Sequence, residues 1–211
     1  MKINAVIPAK GKTNRIDNRN LYKIGSKSLV YLACEKLMKC KNVDEVYLDT
    51  ECTIIKSEVQ PLISQGLKVI DRPPSLANND INLDDVMMYA LHSVSDCDLL
   101  IQTFCTFPML TSEVIDSAIE KFVNHGMKGH DSFMLTTGQD CRLVGQSSVP
   151  QGSAHTKSVV DPQALYGALV TTLLENKKRI GKNPMLIEIS KIESLDIKSA
   201  AEAEFIKRVL E

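Results

Sequence analysis

The sequence predicts an α/β fold in which a mostly parallel, twisted sheet carries helices on both faces. Three observations predict it. Short apolar runs alternate with amphipathic helical stripes from residue 3 to residue 137. The connections between them are short, as in βαβ units, and right-handed crossovers restrict the topology to a few choices. The first run, Ile3, Ala5, Val6 and Ile7, is nearly continuous rather than alternating, which marks a strand covered on both faces. Together these give a Rossmann-like arrangement.

The elements follow in order. After the first strand, which Pro8 is expected to stop, Lys27 to Lys39 carries Leu29, Val30, Leu32, Ala33 and Leu37 at helical spacing. Glu45 to Thr50 reads as a strand ending in Asp49 and Thr50. Ile54 to Gln65 reads as a helix interrupted near Pro61, Leu67 to Asp71 as a strand, Leu83 to Val94 as a helix and Asp98 to Thr103 as a strand. Ser112 to Asn124 makes a helix with acidic Glu113 and Asp116 in its first turn and a stop near Gly126. Ser132 to Thr137 is a further strand. From Gly138 to Ala164 the pattern weakens, so the chain is expected to leave its sheet there as a lid, a binding loop or a dimerisation arm. Regularity returns at Tyr166 to Leu174, Met185 to Ser190 and Ser199 to Leu210, where Ser199 and Glu202 form a capping box.

Composition bounds the function. The 211 residues hold 25 Lys and Arg against 26 Asp and Glu, and they suffice for one globular domain with a sizeable core. A near-neutral charge gives no support to a nucleic-acid partner. No apolar run is long enough for a signal segment or a bilayer span, so the expectation is a soluble, cytoplasmic protein with no membrane partner. Cysteines 34, 40, 52, 97, 105 and 141 form no C-x-x-C pair and no zinc pattern with His92, His125, His130 and His155. They are expected to be reduced, small thiols of core and surface.

Against that neutral background, Lys10, Lys12, Arg15 and Arg19 crowd the loop that follows the first strand. Open α/β sheets bind ligands beyond the carboxyl ends of their strands, so this loop is a candidate phosphate site rather than only a solvated basic run. Gly11-Lys12-Thr13 looks like the end of a Walker A loop, but the first glycine of that motif would fall on Val6 inside the strand. Without it the wrapped anion nest cannot form. The dinucleotide fingerprint GxGxxG is absent as well. Phosphate here would be held by side chains and a few backbone amides.

Four segments together resemble, in divergent form, the cytidylyltransferases that activate nonulosonic and related sugar acids, the CMP-sialic acid synthetase (acylneuraminate cytidylyltransferase) family. The first is Ile7-Pro8-Ala9-Lys10-Gly11-Lys12-Thr13-Asn14 followed by Arg19-Asn20, similar to the family's IPARGGSK and KN elements. The resemblance implies that Ala9, Gly11, Thr13 and Asn20 contact the nucleotide of CTP. It implies also that Lys10 and Arg19 neutralise charge on the phosphates as pyrophosphate leaves. Asn14 stands where the family has lysine. The second, Asp71-Arg72-Pro73-Pro74-Ser75-Leu76-Ala77, looks like RPxxLA and implies that Arg72 frames the nucleotide; the plainer reading pairs Arg72 with Asp71 or another acid nearby. The third, Leu100-Ile101-Gln102 with Thr106-Phe107-Pro108-Met109-Leu110, is similar to LLQ and TSPLR, with two extra residues between them; Gln102 would read the base or ribose. Asp49-Thr50-Glu51 resembles STD, with Glu51 in the aspartate's place.

The fourth segment is Glu193 to Ser199, where the family has IDIDT on a strand before its last helix. Two alternating aspartates there share a magnesium ion, and the resemblance gives Asp196 the catalytic, metal-holding role. Lys198 occupies the second position. An ammonium cannot ligate metal, and it repels a cation by about 4 kcal/mol per unit charge pair at about 4 Å for an effective dielectric of about 20. Metal could be held by Asp196 with phosphates and water, Lys198 could itself supply positive charge, or catalysis could have been lost. On the substrate side the resemblance is loose, and Lys157, Gln163 and Arg142 are candidates to hold the sugar-acid carboxylate. It also implies a nucleotide-diphospho-sugar transferase-like fold and a homodimer.

The leading expectation is transfer of a cytidylyl group from CTP to a sugar acid by in-line displacement. Lys198, Asn14 and Glu51 motivate a rival, a noncatalytic nucleotide-binding protein of the same fold. A second rival joins CTP to another acidic small molecule or uses another nucleotide as glycosyltransferases do. The Asp96-Cys97-Asp98 triplet has D-x-D spacing but precedes its strand, as a helix-to-strand turn would.

Overall fold

The computed structural model of the protein describes residues 1–13, 16–78, 80–141 and 156–211. β1 (Ile3–Pro8) is followed by a 3-10 turn at Arg19–Leu21 and a small hairpin of β2 (Lys23–Ile24) and β3 (Lys27–Ser28). Then come α1 (Leu29–Met38), β4 (Glu45–Thr50), α2 (Thr53–Glu58), α3 (Gln60–Ile63) and β5 (Lys68–Asp71). α4 (Leu83–Ser93), β6 (Leu99–Thr103) and α5 (Ser112–Lys121) complete the regular alternation. The remainder is β7 (Ser132–Cys141), β8 (Thr156–Val160), β9 (Leu165–Leu169), α6 (Val170–Asn176), β10 (Pro184–Glu188) and α7 (Ala200–Leu210).

The main sheet has strand order β10-β7-β9-β6-β1-β4-β5, with β8 added against β7. β1 runs parallel to β4 and β6, and β4 parallel to β5, while β9 is antiparallel to both β6 and β7. The expected α/β architecture, a mostly parallel sheet with helices on both faces, is therefore what the chain adopts. On one face Ile3, Ala5 and Ile7 pack with Leu29, Ala33 and Leu37 of α1 and with Ile115 and Ile119 of α5. On the other, Val6, Leu100 and Ala168 pack with Met87 and Ala90 of α4 and Leu173 of α6. Because alternate residues of each strand point to opposite faces, a strand feeding both cores must be apolar throughout, as β1 is. Caps fix the helix starts: Ser28 Oγ accepts from the Tyr31 amide at 3.2 Å, Asn82 Oδ1 from Asp84 at 3.0 Å and Ser199 Oγ from Glu202 at 3.3 Å.

Several expectations are corrected. Pro8 ends β1 as expected, but as a member of it, paired with Asp49: the missing amide costs nothing at a strand's final position. Residues 27 and 28 belong to the hairpin, so α1 begins at Leu29. The predicted interruption near Pro61 falls at Val59, which leaves the proline in the first turn of α3, where its lack of an amide is tolerated. The helix from Ser112 widens into a π segment over Phe122–Gly126. The chain does not leave its sheet at Gly138: β7 continues to Cys141 and β8 pairs antiparallel with it, Gly138 opposite Val159. Tyr166 to Leu174 divides into β9 and α6. Glu193 to Lys198 is irregular rather than a strand.

Cys34, Cys40, Cys52, Cys97 and Cys105 are free thiols. Two of them, Cys40 and Cys105, are buried near Lys36 of α1, whose Nζ donates to the Phe107 carbonyl at 2.7 Å. That bond ties α1 to the loop after β6. Burial pushes the Lys36 ammonium down from 10.5 to about 8, against the opposing influence of Cys105 and Cys40. Between these two values the unfolded chain binds more protons than the folded one, so this group makes stability rise with pH across that window. Below it, the charged ammonium is a standing cost of about 3 kcal/mol at about 1.4 kcal/mol per pKa step. Lys36→Met is therefore expected to be more stable than the wild type at pH 7, with the advantage shrinking as pH approaches the ordinary lysine value. Urea unfolding across that range measures it. A variant destabilised equally at every pH would show that the bond to Phe107 outweighs the cost of burial.

Candidate functional site

β1, β4, β5 and β6 all end on one side of the sheet, and the chain moves outward from β1 through β4 to β5 before returning to β6 on the other flank of β1. That reversal makes a crevice at the carboxyl ends beside β1. A cavity of about 290 Å³ opens there, lined among the described residues by Lys10, Thr13, Arg19, Asn20, Arg72, Gln163 and Asp196. Its apolar wall comes from Leu76, Ile81, Leu83, Val86, Phe104 and Phe107. Three cations thus face one carboxylate across a concave surface, the charge balance expected of an anion site.

The loop after β1 is held from three directions. The buried Ala9 donates its amide to the Asp49 carbonyl at 2.9 Å, and the buried Asn20 donates Nδ2 to the Lys10 carbonyl at 2.9 Å. Gly11 donates its amide to Glu51 Oε1 at 2.7 Å. A side chain at Gly11 would meet Cys52 Cβ and Sγ at 2.9 Å, so the close approach to Cys52, just before α2, requires glycine. Thr13 turns its hydroxyl to the Ile16 carbonyl. These contacts set Lys10 against the cavity. Burial lowers its pKa from the usual 10.5, with Arg72 and Arg19 adding to the fall while Glu51 and Asp80 oppose it.

Arg72 follows β5 and is almost fully buried. Its Nε and Nη2 donate to Asp49 Oδ1 at 3.0 Å and Oδ2 at 2.7 Å, and Nη2 also donates to the Asp49 carbonyl at 2.9 Å. Its acid partner is therefore Asp49, not the adjacent Asp71, which pairs with Lys56. The pairing does not remove Arg72 from the site, since the same side chain lines the cavity. Arg19, in the 3-10 turn after the loop, donates Nη1 to the Ile197 carbonyl at 3.2 Å, and the Ile197 amide donates to the Thr106 carbonyl at 2.9 Å. These bonds seat the irregular 193–198 segment at the cavity and bring Asp196 to its wall. Asp196 Oδ2 lies 3.5 Å from Lys198 Nζ, whereas Oδ1 is buried with no hydrogen-bond partner.

Gln163 enters from the turn before β9 with a left-handed backbone, φ 65°. Asp161 holds it there, accepting from the Gln163 amide at 2.7 Å and from the Tyr166 hydroxyl at 2.7 Å. Gln102 is placed differently from its expected role: it is 1% exposed on β6, it is not among the cavity residues, and neither its Oε1 nor its Nε2 has a partner. Lys157 is in β8, opposite Asp140 in register. Arg142 lies outside the described residues, as do Asn14 and Arg15.

Sequence reasoning missed the residues that hold the site rather than line it, namely Asp49, Lys36 and Asp161. Asp49 alone carried a signal, an acid at the end of a buried strand, where a charge requires a partner.

Among the described residues there is no group of three or more His, Cys, Asp and Glu side chains placed to hold a metal. No helix among them is long and apolar enough to cross a membrane.

A family model described as Cytidylyltransferase matches residues 4–179. The 8-amino-3,8-dideoxy-manno-octulosonate cytidylyltransferase of Shewanella frigidimarina (strain NCIMB 400) is 28% identical over 125 residues, 59% of this chain and 49% of that protein. The match thus spans about half the length of this curated relative. Among solved structures, CMP:2-keto-3-deoxy-manno-octonic acid synthetase complexed with CTP superposes with a TM-score of 0.73 at 14% identity, covering 100% of this chain and 98% of that one. The 4-diphosphocytidyl-2C-methyl-D-erythritol synthase of Anaerococcus prevotii DSM 20548 does so with a TM-score of 0.72 at 9% identity, covering 99% and 96%. At these identities the structures speak for the fold alone. With the matched region running from the first strand to Arg179 beyond α6, through the loop that supplies Lys10 and Arg19, the chain belongs to the cytidylyltransferase family.

Proposed function

We propose that the protein transfers the cytidylyl group of CTP to a hydroxyl of a nonulosonic-type or related sugar acid, releasing pyrophosphate. The observation that carries this reading is the convergence of Lys10, Arg19 and Arg72 with Asp196 on one cavity at the strand ends. In the reaction the acceptor oxygen attacks the α-phosphorus in line with the departing pyrophosphate, and the bond between the α-phosphorus and the bridging oxygen breaks. Lys10 and Arg19 stabilise the charge that develops on the phosphate oxygens. Arg72, locked by Asp49, presents its guanidinium without having to be ordered on binding, so the cost of fixing it is met during folding. Gln163, held by Asp161, is on the wall where its amide would meet a polar acceptor.

Magnesium belongs to the same proposal. Asp196 Oδ1, buried and without a partner, is a donor of the hard oxygen type this ion takes, and one carboxylate with phosphates and water is a set it accepts. When bound, the ion would supply positive charge to the triphosphate. Pairing of two copies, implied by the family likeness, is also part of the proposal, and light scattering reads it.

A second reading keeps CTP and changes the acceptor. The octonic acid synthetase and the methyl-D-erythritol synthase are matched with nearly equal TM-scores, so the fold does not choose between a sugar acid and a 2C-methyl-D-erythritol derivative.

Pyrophosphate release from CTP should be seen with at least one member of an acceptor panel spanning eight- and nine-carbon keto sugar acids and the methyl-D-erythritol type. Lys10→Ala and Arg19→Ala should each lower kcat about 10²- to 10³-fold, the range for removing one preorganised group that stabilises transition-state charge. Unimpaired CTP binding with no turnover of any acceptor would sink the enzymatic reading and favour the noncatalytic rival. A further expectation concerns pH. Because the Lys10 pKa is lowered in the free protein and a triphosphate raises it again, CTP binding just below the ordinary lysine range should take up protons. Calorimetry in two buffers of different ionisation enthalpy measures that uptake, and Lys10→Arg should abolish it. Proton release on binding would contradict the assignment.

A further inference from the structure

Lys198 follows Asp196, the one carboxylate among the described residues of the cavity wall, by two residues, and its ammonium lies 3.5 Å from Asp196 Oδ2. The backbone on both sides of it is fixed. The Ile197 amide and carbonyl are bound by Thr106 and Arg19. The Lys198 amide donates to Glu202 Oε2 at 2.8 Å, and that carboxylate also accepts from Ser199 Oγ at 2.9 Å in the capping box of α7. The Lys198 side chain itself is about half exposed, at 54%. It is a long, rotatable cation on a rigid base beside a cationic cavity, one that can change partner without moving the backbone.

A divalent ion at Asp196 would therefore meet a carboxylate with one oxygen paired to an ammonium and the other buried and without a hydrogen-bond partner. An ammonium and a metal ion compete for the same negative charge, and a triphosphate offers the ammonium an alternative partner of higher charge. We propose that Lys198 is a resident cation of the nucleotide site. It holds Asp196 in the resting protein, turns to the triphosphate when CTP enters, and takes over part of the charge neutralisation that a divalent ion would otherwise supply. The inference rests on reading the cavity as a CTP site and adds that CTP binding is only weakly dependent on metal.

The test is CTP affinity by calorimetry, with magnesium chloride and with EDTA, for the wild type, Lys198→Met and Lys198→Arg. The wild-type Kd should change by less than about 3-fold on metal removal. Lys198→Met should bind roughly 10-fold more weakly in EDTA, as for loss of one charge-assisted contact, and recover most of that loss with magnesium. Lys198→Arg, which retains the charge, should keep the metal-free affinity. Equal loss by Lys198→Met in both buffers, no loss in either, or a wild type that binds CTP only with magnesium would each overturn the proposal while leaving the CTP site standing. A wild type that binds no CTP in either buffer would remove the proposed function, and this inference with it.

Discussion

A buried ion pair joins the strand ends from which the cavity is built. Asp49, fully buried at the end of β4, receives two bonds from the Arg72 guanidinium on its carboxylate, and its carbonyl accepts from both Arg72 Nη2 and the Ala9 amide. One residue thus couples the loop after β1, the end of β4 and the exit of β5. Burying both charges is costly, and only a geometry that satisfies them fully repays it. Removing Asp49 would leave a guanidinium uncompensated in the wall of the cavity, and removing Arg72 would strand a carboxylate beneath the loop that presents Lys10. A pair of this kind contributes less through net stability than through position: it sets a cation in place before any ligand arrives.

Around that pair the site is assembled from segments with no regular structure. The loop at 9–13, the turn at Arg19, the stretch after β6, the turn at Gln163 and the segment at 193–198 each owe their place to a few directed bonds rather than to a helix or strand of their own. Lys36 reaches from α1 to the Phe107 carbonyl, Arg19 reaches to Ile197, and Asp161 fixes Gln163 in a conformation that a residue with a side chain rarely adopts. The rigid sheet beneath supplies the frame, and these bonds supply the aim.

This division explains what could be read from the sequence. Regular elements announce themselves through period, so β1, β4, α4 and α7 were legible to within a residue or two. The two-residue strands at 23–28 are too short to show a period. β8, Thr-Lys-Ser-Val-Val, and the far end of β7, Thr-Gly-Gln-Asp-Cys, show no apolar alternation, so their pairing is decided by the partner strand. In the site, Lys10, Arg19, Arg72 and Asp196 were legible because their charges sit in recognisable segments, and the fold brings all four to one cavity. Asp49 as the partner of Arg72 was not, because twenty-odd residues separate them and only the β4–β5 register brings them together. The resemblance also placed Asp196 and Lys198 on a strand; the segment is instead pinned in an irregular path by Arg19 and Thr106, which still leaves the two side chains facing each other. Gln102 shows the opposite limit, since its chemistry suggested a base reader while its register on β6 buries it.

The account turns on where a triphosphate would bind, and a crystal structure with CTP tests it most directly. It predicts phosphate oxygens within hydrogen-bond distance of Lys10 and Arg19, with the Asp49–Arg72 pair intact beside them. Phosphates bound elsewhere on the molecule, or an Arg72 that had left Asp49 to reach them, would contradict it.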